Sequence, residues 1–156
     1  MRTFNKSVST SLVIDTGLLL EYLSGSKVGK IIDEMIFKND YVASVLTSPL
    51  TMVEVYYLVR RKSNKSRAEE EVNKINKLVS LLSLDNYLEL LGEIKAVTAF
   101  SLTDAANIAL AEYKNISVVF KHEHEIDKKL TSSKSTPFTS RIVFIDNFPY
   151  FKKHFE

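Results

Sequence analysis

The sequence predicts an α/β fold, a three-layer α/β/α sandwich around a short central parallel sheet. Three observations predict it. The apolar runs SLVID (11–15), SVVF (117–120) and RIVFID (141–146) have the length and β-branched content of buried strands. Segments with helical spacing of apolar residues lie between them, and a crossover between parallel strands normally needs a helix. The chain has 156 residues, 45% hydrophobic and 26% charged, with four Gly and three Pro, which suits one domain over residues 1–156 rather than two.

Each element follows from local pattern. The strand at 11–15 feeds a short helix over Gly17 to Leu23. From about Lys27 to Phe37, Val28, Ile31, Ile32, Met35 and Ile36 fall at helical spacing. Tyr41 to Leu46 reads as a short extended stretch. In SPLTMVEVYYLVRRK, Ser48 is a good N-cap, Pro49 suits the first helical position, and the terminal basic residues favour a helix C-terminus. Ser66 to Ser83 reads as one long amphipathic helix, with Val72, Ile75, Leu78, Val79 and Leu82 on a single face. Asp85 is expected to cap another helix running to about Val97. SLTDAANIALAEYKN predicts a helix with small residues for close packing and Asn115 near its end. The strand SVVF, the polar run KHEHEIDKK, the loop TSSKSTPFTS and the strand RIVFID complete the chain.

Composition removes several classes of function. The chain contains no cysteine, which excludes disulfides, thiolate zinc sites and cysteine nucleophiles. Any metal would be held by oxygen or histidine. No apolar run reaches the roughly 18 residues of a membrane span, and the start MRTFNKSVSTS lacks an apolar signal core, so a cytoplasmic protein is expected. The net charge of +2 announces no strongly basic surface, although Arg60, Arg61, Lys62, Lys65 and Arg67 form a local cluster.

The carboxylates fall where an α/β protein builds sites, at the C-terminal ends of strands. Asp15 ends the first strand. Glu123 and Glu125 follow SVVF by a few residues. Glu54 has Leu50 and Leu58 one turn to either side, so it shares their stripe, and a carboxylate there needs a partner. Asp104 opens its helix beside Thr103. Singly, each has an ordinary explanation as a cap or a solvated charge. Their order, strand-end Asp, helical Glu, helix-start Asp, then acid after a strand, makes them a candidate set.

That order resembles the PIN-domain family of nucleases, and in particular its small VapC-like members. VIDTGLLLEYL is similar to the family's first motif, SPLTMVEVYYLV to its second and SLTDAANIALA to its Leu-Thr-Asp-Ala helix start, while RIVFIDNF is similar to its last strand. Where many members read Thr-x-Asp-x-Asp-Phe, this chain has KHEHEI, which sets Glu123 and Glu125 against the two aspartates and Lys121 against the hydroxyl.

The resemblance implies a metal-dependent endoribonuclease, plausibly the toxin of a toxin–antitoxin pair, with RNA as substrate, a small antitoxin as partner and a homodimeric state. Acids of this kind supply hard oxygen ligands for Mg²⁺ or Mn²⁺. On this reading Asp15, Asp104, Glu123 and Glu125 are metal ligands, and Glu54 is a further catalytic acid that binds the metal or orients its water. Thr16, Ser48 and Thr103 are candidates to fix the carboxylates' directions. Apolar or aromatic residues such as Tyr56, Tyr57 and the FPYFKKHF tail are candidates for the interfaces. His122 and His124 alone do not make a zinc site, since the third histidine is His154. The competing reading is a PIN domain that binds RNA or protein without cutting, suggested by the two Glu and by Lys121, whose ammonium would replace a metal. A phospho-receiver module is weaker, because it leaves Glu54 without a role.

Overall fold

The computed structural model of the chain describes residues 10–122, 126, 128–129 and 141–147. β1 (Thr10–Ile14) is the middle strand of a five-stranded sheet in which β2 (Val42–Thr47), β3 (Ser80–Leu81), β4 (Ser117–Phe120) and β5 (Ile142–Phe144) all run parallel to their neighbours, in the order β3-β2-β1-β4-β5. The chain builds outward from β1 to β2 and β3, then returns to lay β4 on the other side of β1. The β1–β4 boundary is therefore the topological switch point, where the connections leaving the strand ends diverge and open a crevice.

Alternation along the strands divides the interior. Leu12, Ile14, Val45 and Val119 face one core with α1 (Thr16–Ser24), α2 (Lys27–Ile32), α3 (Pro49–Lys62) and α4 (Lys65–Asn76). Val13, Val118 and Phe120 face a second core with α5 (Leu88–Val97) and α6 (Leu102–Lys114). These are the two outer layers expected. The helix over 27–37 is α2 followed by a π-helical turn, Asp33–Phe37. α2 crosses α1 so closely that a Cβ on Gly29 would lie 2.1 Å from the Glu21 carbonyl oxygen, which requires glycine there.

Three expectations about elements are corrected. The long helix over 66–83 stops at Asn76, and Ser80–Leu81 forms the edge strand β3. The apolar spacing that suggested continued helix belongs to two different layers, since Val79 packs in the first core and Leu82 against the second. The edge of β2 has backbone groups to satisfy, and β3 satisfies them in register at Leu46–Ser80 and Thr47–Leu81. Asp85 does not cap α5. It lies in a 3₁₀ turn, Leu84–Asn86, and Tyr87 holds the cap position, its ring buried and its hydroxyl donating to the Leu82 carbonyl at 2.9 Å. β5 ends at Phe144, where a 3₁₀ turn, Ile145–Asn147, begins. The expected loop TSSKSTPFTS lies outside the described residues.

Candidate functional site

Asp15 stands at the C-terminal end of β1, its backbone N–H donating to the Val119 carbonyl across the switch point at 3.1 Å. Its side chain is 6% exposed and accepts from the Gly17 N–H at 3.1 Å, so it N-caps α1 as well. Capping and site membership are compatible, because the cap fixes the carboxyl at the mouth of the crevice.

Asp15, Glu54 and Asp104 line one cavity of about 320 Å³, together with Thr16, Gly17, Leu20, Ser101, Ile126 and Lys129. Glu54 comes from the second turn of α3, half-buried between Leu50 and Leu58 as its stripe suggested. Asp104 comes from the first turn of α6, its backbone N–H donating to the Ser101 hydroxyl at 3.1 Å. Burial first, then the negative charge of Asp104 and, less strongly, of Glu54, push the Asp15 carboxyl up to about 8, against the lowering pull of the Gly17 and Thr16 backbone hydrogen bonds. An acid displaced by burial and then by like charges marks a place where a cation would be welcome.

A buried polar network sets the relative position of these elements. The Asn107 side chain accepts from the Ser48 N–H at 3.1 Å and donates to the Thr51 hydroxyl at 2.8 Å. The Thr47 hydroxyl donates to the Ile14 carbonyl at 3.1 Å, one residue before Asp15. Asn107 lies one turn beyond Asp104 on α6, and Ser48 and Thr51 lie at the start of α3, below Glu54. The same few bonds thus hold together the three backbones that carry the acids. The sequence reading missed Asn107; its signal is a lone amide inside the buried Ala-rich stripe of α6. It also missed Lys129, one helical turn after Ile126.

Of the three hydroxyls expected to steer carboxylates, Ser48 accepts from the Leu50 N–H at 3.1 Å and caps α3. The Thr16 hydroxyl is buried in the cavity wall with no hydrogen-bond partner among the described residues, an orphan that a bound group would satisfy. Thr103 is half-buried in the first turn of α6. Glu123, Glu125 and His124 lie outside the described residues. The Lys121 ammonium sits 2.5 Å from Glu21 Oε1 on α1, and the Ser26 hydroxyl donates to the other carboxylate oxygen of Glu21. His122 stacks on Phe144 and its Nδ1 lies 2.8 Å from Asp146 Oδ2.

Among the described residues, no three acidic or histidine side chains close around an ion by themselves. The donor set still fits a hard divalent cation. Mg²⁺ keeps several waters and is commonly held by one or two carboxylates, so mutually repelling oxygen donors in an open polar cavity meet its demands better than a closed cage would. Among the same residues, no helix is long and apolar enough to cross a membrane.

Comparison with known proteins follows this geometry. The family model of the PIN domain matches residues 12–144. Comparison with curated proteins by sequence finds no match. Among solved structures, the fold is similar to a DNA-bound VapBC from Salmonella typhimurium, with TM-score 0.63 and 17% identity over 86% of this chain and 98% of that one. It is also similar to VapBC2 from Rickettsia felis bound to a promoter DNA fragment, with TM-score 0.59 and 13% identity over 86% and 97%. A third likeness is to VapC20 from Mycobacterium tuberculosis, a sarcin-ricin loop cleaving toxin, with TM-score 0.57 and 14% identity over 80% and 98%. At these identities the likeness is one of fold.

Proposed function

Because this chain belongs to the PIN-domain family, we propose that it is a metal-dependent endoribonuclease, acting as the toxin of a VapBC-type pair. The observation that carries the reading is the cavity at the switch point, lined by three carboxylates from β1's end, α3 and α6, of which Asp15 is raised by its burial and by the negative charge of the other two. A phosphodiester entering such a cavity is repelled unless a cation intervenes.

Asp15 and Asp104 would hold Mg²⁺ or Mn²⁺, with Glu54 as a further ligand or as the acceptor that orients the attacking water. Glu123 and Glu125 are proposed to complete the set. When bound, the ion supplies hydroxide near neutral pH and offsets charge on the transition state. The chain's own part is positioning. Gly17 fixes the Asp15 carboxyl, Ser101 caps the helix that presents Asp104, and Asn107 ties that helix to the start of α3.

The antitoxin is proposed to cover an apolar groove of about 290 Å³ on α1, α3 and α4, lined by Leu20, Leu23, Leu58 and Val59 among others. Its support is continuity, since Leu20 lines both this groove and the acidic cavity. Val53 and Tyr57, exposed one turn apart on α3, are the proposed contact of a homodimer. The competing reading, a binding module that does not cut, drew on Lys121 as a substitute for metal, and its ammonium is held by Glu21.

The deciding experiment incubates purified protein with structured and single-stranded RNA in Mg²⁺ or Mn²⁺, beside EDTA and Asp15→Asn controls. Cutting that disappears in both controls is expected. A wild-type protein that leaves every RNA intact with either metal, while still binding it, would establish the binding module instead.

A further inference from the structure

We propose that Arg61 contacts the RNA strand beyond the acidic cavity, its guanidinium taking a phosphate that flanks the one being cut. The inference rests on the nuclease reading of the cavity and adds to it a binding residue outside. A cavity lined by Asp15, Glu54 and Asp104 repels a polyanion, so affinity for one has to come from cations further along its path.

The basic cluster Arg60, Arg61, Lys62, Lys65 and Arg67 lies at the end of α3 and the start of α4, and its members are not equivalent. Lys65 is paired with Glu69, and Arg67 with Glu70 and Glu71. On α3, Arg61 follows Glu54 by seven residues, close to two full turns, so the two share a face about 10 Å apart along the axis. Arg60 and Lys62 fall away from that stripe on either side, and Lys62 lines the apolar groove. Arg61 therefore continues the face that leaves the cavity through Glu54.

Long helical side chains lean back toward the N-terminus, and Arg61 does so. Its Cζ lies 4.8 Å from the centroid of the Tyr57 ring, one turn nearer to Glu54, and Tyr57 is itself 40% exposed. Lying over a ring engages the face of a guanidinium and leaves the N–H groups in its plane to donate to phosphate. A ring has two faces, so holding Arg61 is compatible with the homodimer contact proposed for Val53 and Tyr57. Arg61 is exposed, and among the described residues no carboxylate pairs with it. Favouring the helix dipole is a role that Arg60, Arg61 and Lys62 share, since all stand in the last turn of α3. That role asks for charge alone, and explains neither the shared face with Glu54 nor the seat on Tyr57.

The test measures anisotropy of a fluorescein-labelled, mixed-sequence single-stranded RNA on the full chain in Ca²⁺, for wild type, Arg61→Gln, Arg61→Lys and Arg60→Gln, with oligomeric state followed by sedimentation velocity. Arg61→Gln is expected to weaken RNA binding about five- to tenfold and to reduce the slope of log affinity against log salt by about 0.7, the loss of one phosphate contact on a single strand. Arg61→Lys should stay within about threefold of wild type, since the charge is kept and the planar fork is lost. Arg60→Gln removes the same charge from the same turn, off the stripe, and should cost less than about twofold. Equal losses in Arg60→Gln and Arg61→Gln would reduce the effect to overall charge and overturn the proposal. So would unchanged RNA affinity in Arg61→Gln, or a loss of affinity that comes with a change in oligomeric state. If wild type cuts RNA in Mn²⁺ while Arg61→Gln binds it normally, the contact is refuted and the nuclease reading stands. If wild type binds RNA without cutting it, and Arg61→Gln weakens that binding where Arg60→Gln does not, the contact stands and the nuclease reading falls. If wild type neither binds nor cuts RNA, both fall together.

Discussion

Among the described residues two carboxylates are nearly buried, and the molecule treats them oppositely. Glu71, on α4, is 4% exposed and lies 2.5 Å from an Arg67 guanidinium nitrogen one turn earlier on its own helix. Asp15 is 6% exposed and has a backbone amide and two more carboxylates for company. Burying an acid costs several kcal/mol unless it is paired. Glu71 has its partner within the fold. Among the described residues no cation is paired with Asp15, and on the proposed reading its partner is the ion that the cavity binds.

The largest effect expected from breaking this contrast is on chemistry. Asp15→Asn keeps the shape of the cap but removes the charge a divalent ion needs, and RNA cleavage should fall by at least about a hundredfold in a single-turnover gel assay. Next is the scaffold that sets the acids. Asn107→Ala leaves the Ser48 N–H and the Thr51 hydroxyl unpartnered in the interior, and denaturant unfolding should show a loss of about 2–3 kcal/mol. Arg67→Ala strands Glu71. Because Arg67 is half exposed, the loss should be discounted from the cost of a fully buried pair to about 2 kcal/mol. Exchanging Glu71 for Leu at the same site should change stability by less than about 1 kcal/mol, since an apolar residue leaves no stranded charge.

The contrast can be sharpened with pH. Asp15's native pKa of about 8 lies above its ordinary 3.8, so the native state holds a proton that the unfolded chain has already lost. Its contribution to stability is complete below about pH 4 and is lost as pH rises toward 8, with a slope of up to about 1.4 kcal/mol per unit. In EDTA, thermal unfolding should therefore show Asp15→Asn gaining on wild type from pH 4 to 8. Saturating Mg²⁺ or Mn²⁺ should shrink that gain. A gap that stays constant across this range would show that Asp15 is not protonated in the native state.

The sequence made the fold legible where a pattern answers to one layer. The strands at 11–15 and 117–120 and the helices at 48–62 and 101–115 carry their own caps and spacing, and they stand as expected. It misled where spacing mixed two layers. Val79 and Leu82 extend α4's periodicity only by coincidence, because a two-residue strand between them puts one in each core. At the site, Asp15, Glu54 and Asp104 were legible because a charge interrupts an apolar stretch or opens a helix. Asn107 and Lys129 were not. An amide among alanines and a lysine in a polar run acquire meaning only from the neighbours that distant parts of the chain bring to them.

The central place of β1 has a consequence for the chain during its synthesis. β1 precedes its partner strand β4 and the helix α6 that the cavity needs, so both are synthesised well after it. Contacts so distant along the chain form late. A nascent polypeptide still short of residue 104 carries Asp15 and Glu54 on a sheet with one open side, and lacks both Asp104 and the Asn107 clamp. On the proposed reading, the acidic cavity closes only after the chain has passed α6 and β4.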